Sequence, residues 1–229
     1  MKIDAARILL TGATGGIGGA IAKALAERGA RLVVSGRRRD VLERLAAQLP
    51  AESVECVVAD LADPAQVDEL VAEAGAVDVL VANAALPASG PILDFTPEQI
   101  DRALAVNLRA PIALARALLP AMIERGSGHL VFMSSLAGKV APPGSALYSA
   151  TKFGLRGFAL ALREDLHGTG VGVTAIFPGF VREAGMFAET GVRLPRGVGT
   201  STPEQVARAV VAGIERGKVE IDVAPLPMR

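Results

Sequence analysis

Tyr148 is the only tyrosine in this chain of 229 residues, and Lys152 follows it by four positions. On a helix that spacing puts both side chains on one face, about one turn apart. A phenol titrates near 10, roughly three units above the pH at which it would exchange protons readily. An ammonium at about 4 Å, in surroundings of effective dielectric near 20, favours the phenolate by about 4 kcal/mol, on the order of three pKa units. Lysine is thus a cation of the right strength to make a tyrosine work as acid and base. Ser135 stands thirteen residues before Tyr148, and its hydroxyl can donate to an oxygen that gains negative charge. Tyr-x-x-x-Lys alone is common by chance, and each of the three also reads as an ordinary surface or turn residue. Their weight depends on the rest of the chain.

A second constellation lies near the amino terminus, in Thr11-Gly12-Ala13-Thr14-Gly15-Gly16-Ile17-Gly18. It joins an apolar run to an alanine-rich amphipathic segment, so backbone amides and the positive end of a helix dipole face whatever fills the turn. A pyrophosphate suits that place. Glycine at 12, 16 and 18 removes β-carbons that would obstruct a phosphate or hold the helix off the strand; a plain tight turn reads the same way. About 20 residues on, where an NAD-selective site would carry an acidic side chain, stand Ser35-Gly36-Arg37-Arg38. Arginine can instead neutralise and hydrogen-bond a 2′-phosphate, which favours NADP, with Arg37 before Arg38. A solvated basic helix start is the competing reading.

The elements that must position these residues follow from alternation. Short runs rich in Val, Leu and Ile predict strands at Arg7 to Thr11, Arg31 to Ser35, Val54 to Ala59, Val77 to Ala82, His129 to Ser134, Val171 to Phe177 and Val219 to Val223. Amphipathic segments predict helices over Gly16 to Arg28, Arg39 to Leu49, Pro64 to Glu73, Pro97 to Arg125, Ser145 to His167 and Pro203 to Arg216. Asp63-Pro64, Thr96-Pro97 and Thr202-Pro203 each pair a capping side chain with a first-turn proline. The expected fold is α/β: a three-layer, doubly wound, Rossmann-like single domain spanning 1–229, with about seven parallel strands flanked by helices. Its ligand edge lies at the carboxyl ends of the strands, where their order reverses.

Composition narrows the partners. With 24 basic and 24 acidic side chains and 51% hydrophobic residues, the chain has no global field for nucleic acid or an anionic membrane, and it is too apolar for disorder. No stretch of 18 or more residues is continuously apolar, and no secretion signal is read at the start, so no membrane span is expected. The single cysteine, Cys56, and the separated His129 and His167 offer no zinc spacing, so no metal is expected. A reducing compartment, most simply the cytoplasm, fits one cysteine.

T-G-x-x-x-G-x-G at the start, a serine thirteen residues before the tyrosine and Y-x-x-x-K together resemble the short-chain dehydrogenase/reductase family, over essentially the whole chain. The resemblance implies hydride transfer between a secondary alcohol and a ketone or aldehyde, with NADP preferred and NAD possible. Tyr148 would then exchange the proton, Lys152 would tune it and hold the nicotinamide ribose, and Ser135 would bind the substrate oxygen. Asn107 would hold a water leading from Lys152 to solvent. The glycine turn, including Thr14, Gly15 and Ile17, would hold the pyrophosphate. Asp60 would accept from the adenine amino group, with Leu61 beside the ring, and Asn83 and Ala84 would lie along the ribose. Pro178, Gly179 and Val181 would meet the nicotinamide carboxamide, with Glu183 where the family often carries threonine. Homodimers or homotetramers built on the two long helices are expected. The substrate loop falls near 179–201, where Leu86, Met186 and Phe187 favour an uncharged compound, and Arg182, Arg193 and Arg196 an acid. The rival reading is a protein of the same fold that binds the dinucleotide as a sensor and has no turnover.

Overall fold

Strands whose central residues are all apolar have no solvent face, and the first strand shows why. In β1 (Arg7–Thr11) Ile8 and Leu10 enter one hydrophobic layer while Leu9 enters the opposite one, and all three are fully buried. β4 (Val79–Ala82) and β5 (Gly128–Met133) divide in the same way. A computed structural model describes residues 1–50, 54–182 and 199–225 of the chain. With β2 (Arg31–Gly36), β3 (Val54–Val58), β6 (Val171–Pro178) and β7 (Glu220–Val223) these strands form one seven-stranded sheet in the order β3-β2-β1-β4-β5-β6-β7. Every adjacent pair is parallel. The order reverses between β1 and β4, which opens a crevice at their carboxyl ends.

Helices cover both faces, completing the three layers. On one side α1 (Gly16–Ala26), α2 (Arg39–Ala46) and α7 (Pro203–Arg216) bury Ile21, Leu25, Leu42, Val210 and Ile214. On the other, α3 (Pro64–Ala74), α5 (Ala110–Glu124) and α6 (Ala146–Asp165) bury Leu70, Leu114, Leu118 and Leu155. The capping signals act as the sequence suggests. Asp63 accepts from the Ala65 amide, and Thr96 and Thr202 form capping boxes with Gln99 and Gln205.

One helix departs from expectation. The span predicted as a single helix over Pro97 to Arg125 is α4 (Pro97–Leu104), a π-helical turn over Ala105–Arg109, and then α5. By length and composition the run Pro97–Glu124 is apolar enough to cross a membrane; here its Leu114, Leu118 and Met122 pack on the sheet. The expected loop over 179–201 falls largely on residues 183–198, so Glu183, Met186, Phe187, Arg193 and Arg196 lie outside the described residues.

Candidate active site

The turn after β1 is built without side chains. Gly12 takes φ +67°, and a β-carbon there would come within 2.7 Å of Ala84 Cα. One on Gly18 would run into the Gly12 carbonyl oxygen and stand 2.8 Å from Ala13 Cα. No side chain caps α1 at Gly15, so its first amides remain for a ligand. The turn is pinned from both neighbouring strands. The Ala13 amide donates to Ser35 O (3.0 Å), and Asn83 Nδ2 donates to Thr11 O (3.1 Å) and Gly12 O (3.2 Å). Thr11 Oγ1 in turn accepts from the Asn83 and Ala84 amides.

A crevice of about 320 Å³ opens beside this turn. Gly12, Thr14, Gly15, Gly16, Ile17, Gly18, Arg37, Arg38, Asp60, Leu61, Asn83 and Ala84 all line it. The exposed Arg37 and Arg38 are in no ion pair of the described residues. A β-carbon-free cradle ending in two available guanidinium groups fits a dinucleotide with a phosphate at its far end. Asp60 lines the crevice as expected and is also paired within the chain. Its Oδ2 is 2.6 Å from Arg102 Nη2, and its Oδ1 accepts from the Ala62 amide. Burial pushes the Asp60 carboxyl up, but Arg102, the Ala62 amide and the charge of Arg37 outweigh it and bring the pKa below the ordinary value. Arg102, Ser35 and Val106 line the crevice without having been singled out by the sequence, and Leu86, read there as a substrate-pocket residue, lines it with them.

The second constellation assembles at the ends of β5 and β6. A short turn over Leu136–Gly138 follows Ser135 and packs so closely on α6 that a β-carbon on Gly138 would lie 2.7 Å from Lys152 O. Ser134 Oγ donates to that same carbonyl (3.1 Å). Ser135 Oγ accepts from the Ala137 amide (3.2 Å) and donates to Pro178 O (3.4 Å), so Pro178 adjoins the serine. Gly179 donates to Val223 O, and buried Val181 bridges to Ser201. Pro178, Gly179 and Val181 thus stand at the end of β6, not among the residues lining the glycine crevice.

Tyr148 and Lys152 share one face of α6. The Lys152 Nζ lies 5.6 Å from the Tyr148 ring centroid and donates to Met133 O at 2.9 Å. Lys152 is 2% exposed, and burial lowers its pKa to about 8. Burial likewise pushes the Tyr148 phenol up to about 12, with a hydrogen bond from Ser135 drawing it back. The acidified phenol expected from an ammonium at 4 Å is therefore not what this arrangement gives. The cation is aimed at a main-chain carbonyl, and desolvation is the largest influence on both groups. Asn107 occupies the π turn, fully buried, and clamps one residue: its Oδ1 accepts from Leu86 N (2.6 Å) and its Nδ2 donates to Leu86 O (3.0 Å). Both ends of the amide thus act on the segment after β4 and neither on Lys152, whose Nζ goes to Met133 O.

The profile of the short chain dehydrogenase family matches residues 6–193. This chain belongs to that family. It is 37% identical over 227 residues to the ketoacyl reductase HetN of Nostoc sp., covering 96% of this chain and 79% of that protein. Among solved structures it resembles the short-chain dehydrogenase from Sphingobium yanoikuyae in complex with NADPH, with a TM-score of 0.87 and 30% identity over 96% of this chain and 87% of that one. It also resembles the 3-ketoacyl-(acyl-carrier-protein) reductase from Brucella melitensis complexed with NADH, with a TM-score of 0.90 and 27% identity over 99% and 100% of the two chains. As a short-chain dehydrogenase the chain is an NAD(P)-dependent oxidoreductase. Among the described residues no cluster of His, Cys, Asp or Glu could hold a metal ion.

Proposed function

We propose that this short-chain dehydrogenase interconverts a secondary alcohol and a ketone or aldehyde, with NADPH preferred and NADH accepted. What supports the reading most is the placing of Ser135, Tyr148 and Lys152 around the ends of β5 and β6, on the same sheet edge as the β-carbon-free crevice. The glycine turn, Asn83, Arg37 and Arg38 would hold the dinucleotide, which when bound would supply or receive the hydride. Burial, which pushes the Tyr148 phenol up to about 12, keeps it protonated through the working range, so the proton that a carbonyl oxygen must receive is in place on a weak acid. As its proton leaves Oη, the phenolate forms on the same face of α6 as Lys152, whose Nζ lies 5.6 Å from the ring centroid and is cationic below about 8. Ser135 Oγ has a single proton, which it gives to Pro178 O and would turn to the oxygen on which charge grows. Oxidation runs the same proton in reverse.

Ketoacyl reductases among its relatives make a 3-ketoacyl compound the first substrate to assay. The exposed Leu104 and Phe153, on α4 and α6, support pairing into homodimers or homotetramers, and a reducing cytoplasm completes the reading. The deciding experiment is Tyr148→Phe, which keeps the ring and deletes the hydroxyl. NADPH oxidation across a carbonyl panel should fall by at least about 100-fold while NADPH affinity is kept. Undiminished turnover overturns the role of Tyr148. Saturable NADPH binding by the parent without turnover of any compound favours the sensor instead.

A further inference from the structure

Four charged side chains line the crevice among the described residues: Arg37, Arg38, Asp60 and Arg102. They do not act independently. Asp60 lies just beyond β3, next to β2, where Val58 is in register with Gly36 and the Ala59 amide donates to Gly36 O at 3.2 Å. A carboxylate there faces the same opening as Arg37, whose charge it feels. Left alone it would oppose any phosphate that Arg37 and Arg38 receive. The carboxylate is nevertheless built in, since its Oδ1 holds the Ala62 amide at 3.0 Å and its own amide donates to Gln66 Oε1 at 2.8 Å. From α4, 42 residues along the chain, Arg102 reaches across the opening to Asp60 Oδ2.

We propose that Arg102 sets the preference of the crevice for a 2′-phosphorylated dinucleotide by cancelling the charge of Asp60. With Arg102 the four side chains carry two net positive charges, and without it only one. The ion pair is partly exposed, at 40% and 31% of the two side chains, so its own contribution to stability is small. Its weight falls on the ligand: a screened charge near a dianionic group separates the phosphorylated from the unphosphorylated dinucleotide and leaves their shared parts alone. This inference rests on the proposed preference for NADPH over NADH.

Charge replacement tests it by equilibrium binding. Dissociation constants for NADPH and NADH are measured by titrating nicotinamide fluorescence in the parent, Arg102→Gln, Asp60→Asn and the double variant, each checked for folding by its melting temperature. Arg102→Gln should lower the NADPH-over-NADH ratio on the order of tenfold, as expected for one partly screened charge against a phosphate. Asp60→Asn should raise it, and the double variant, again with two positive charges, should return to the parent ratio. An unchanged ratio in Arg102→Gln overturns the proposal, as does a double variant no better than Arg102→Gln, which would mean that Arg102 acts by a contact of its own. Arg37→Ala separates the two levels of inference. If it abolishes the preference while Arg102→Gln does not, the NADPH reading stands and the role of Arg102 falls; a parent that binds both dinucleotides equally overturns both.

Discussion

Lys152→Met should make the protein more stable and less active at once. Lys152 is wholly buried, its Nζ donates to the Met133 carbonyl, and burial lowers its pKa from 10.5 to about 8. Above 10.5 the amine is neutral in folded and unfolded chains alike and costs nothing. As pH falls from 10.5 towards 8 the unfolded chain takes up the proton first, so stability is lost, and below 8 the loss is complete. A difference of roughly 2.5 units, at 1.36 kcal/mol each, comes to about 3 kcal/mol. Methionine has similar length and no charge to desolvate, but it leaves Met133 O without a donor, which costs about 1 kcal/mol. The net gain at pH 7 is about 2 kcal/mol, which for a chain of this size raises the melting temperature by about 4–8 °C. Scanning calorimetry of parent and variant at pH 7 and again between pH 8 and 10 checks the magnitude and its origin, because the gap should narrow as the parent amine loses its proton. A variant that melts below the parent at pH 7, or a gap that does not change with pH, refutes the reasoning. Loss of carbonyl reduction by the same variant, with folding improved, would place the cost of the buried cation in the service of the chemistry.

The packing dictates two further outcomes. Gly18→Ala should destabilise by about 1–3 kcal/mol and weaken NADPH binding more than tenfold, since the new methyl meets the Gly12 and Ala13 backbone and no flexible side chain can yield; urea unfolding and dinucleotide titration read the two effects separately, and parent-like values in both would contradict the described turn. His129 is buried, its Nε2 lies 2.8 Å from Thr174 Oγ1, and burial, helped by the charge of the amino terminus, lowers its pKa from 6.5 to about 4. Its contribution is fully present above 6.5 and is lost as pH falls towards 4, up to about 3 kcal/mol; a urea midpoint whose acid slope is the same in His129→Gln would rule that out.

The sheet was legible because parallel strands buried on both faces leave an apolar run and the turns between elements carry their own chemistry. Ile8, Leu9 and Leu10 needed no partner to be read as a strand, and Thr96 with Pro97 announced a helix start in two adjacent residues. The crevice was legible for the same reason: Gly12 and Gly18 are required by a turn whose neighbours in sequence are its neighbours in space. What the sequence hid is what depends on separation. Nothing near Asp60 points to Arg102, and nothing near Lys152 points to Met133 O. The spacing of Tyr148 and Lys152 predicts a shared face, but the direction of a long side chain on that face is settled by the strand packed against it. With the ammonium turned to Met133 O, burial of the phenol dominates, and an expected downward shift becomes, in the folded chain, an upward one.

The π turn at Ala105–Arg109 shows how one local irregularity can serve both ends of such a crevice. A helix of regular pitch would carry Arg102, Val106 and Asn107 on a fixed face, and the extra residue in the turn changes the phase between the helical segments on its two sides. On the near side Arg102 reaches Asp60, and in the turn itself Val106 lines the crevice while Asn107 turns inward to bind both main-chain groups of Leu86. Leu86 lies in the segment that leaves β4 beside Ala84, whose α-carbon bounds the Gly12 turn. The glycine cradle, the β4 exit and the charge pair at the far end are therefore held by a single helix through two contacts of different kinds. A fully buried amide that saturates one residue's backbone has the rigidity for this, because either of its bonds lost would strand a buried polar group. The irregular turn is better explained as what allows both contacts from one helix than as a defect in an otherwise regular one.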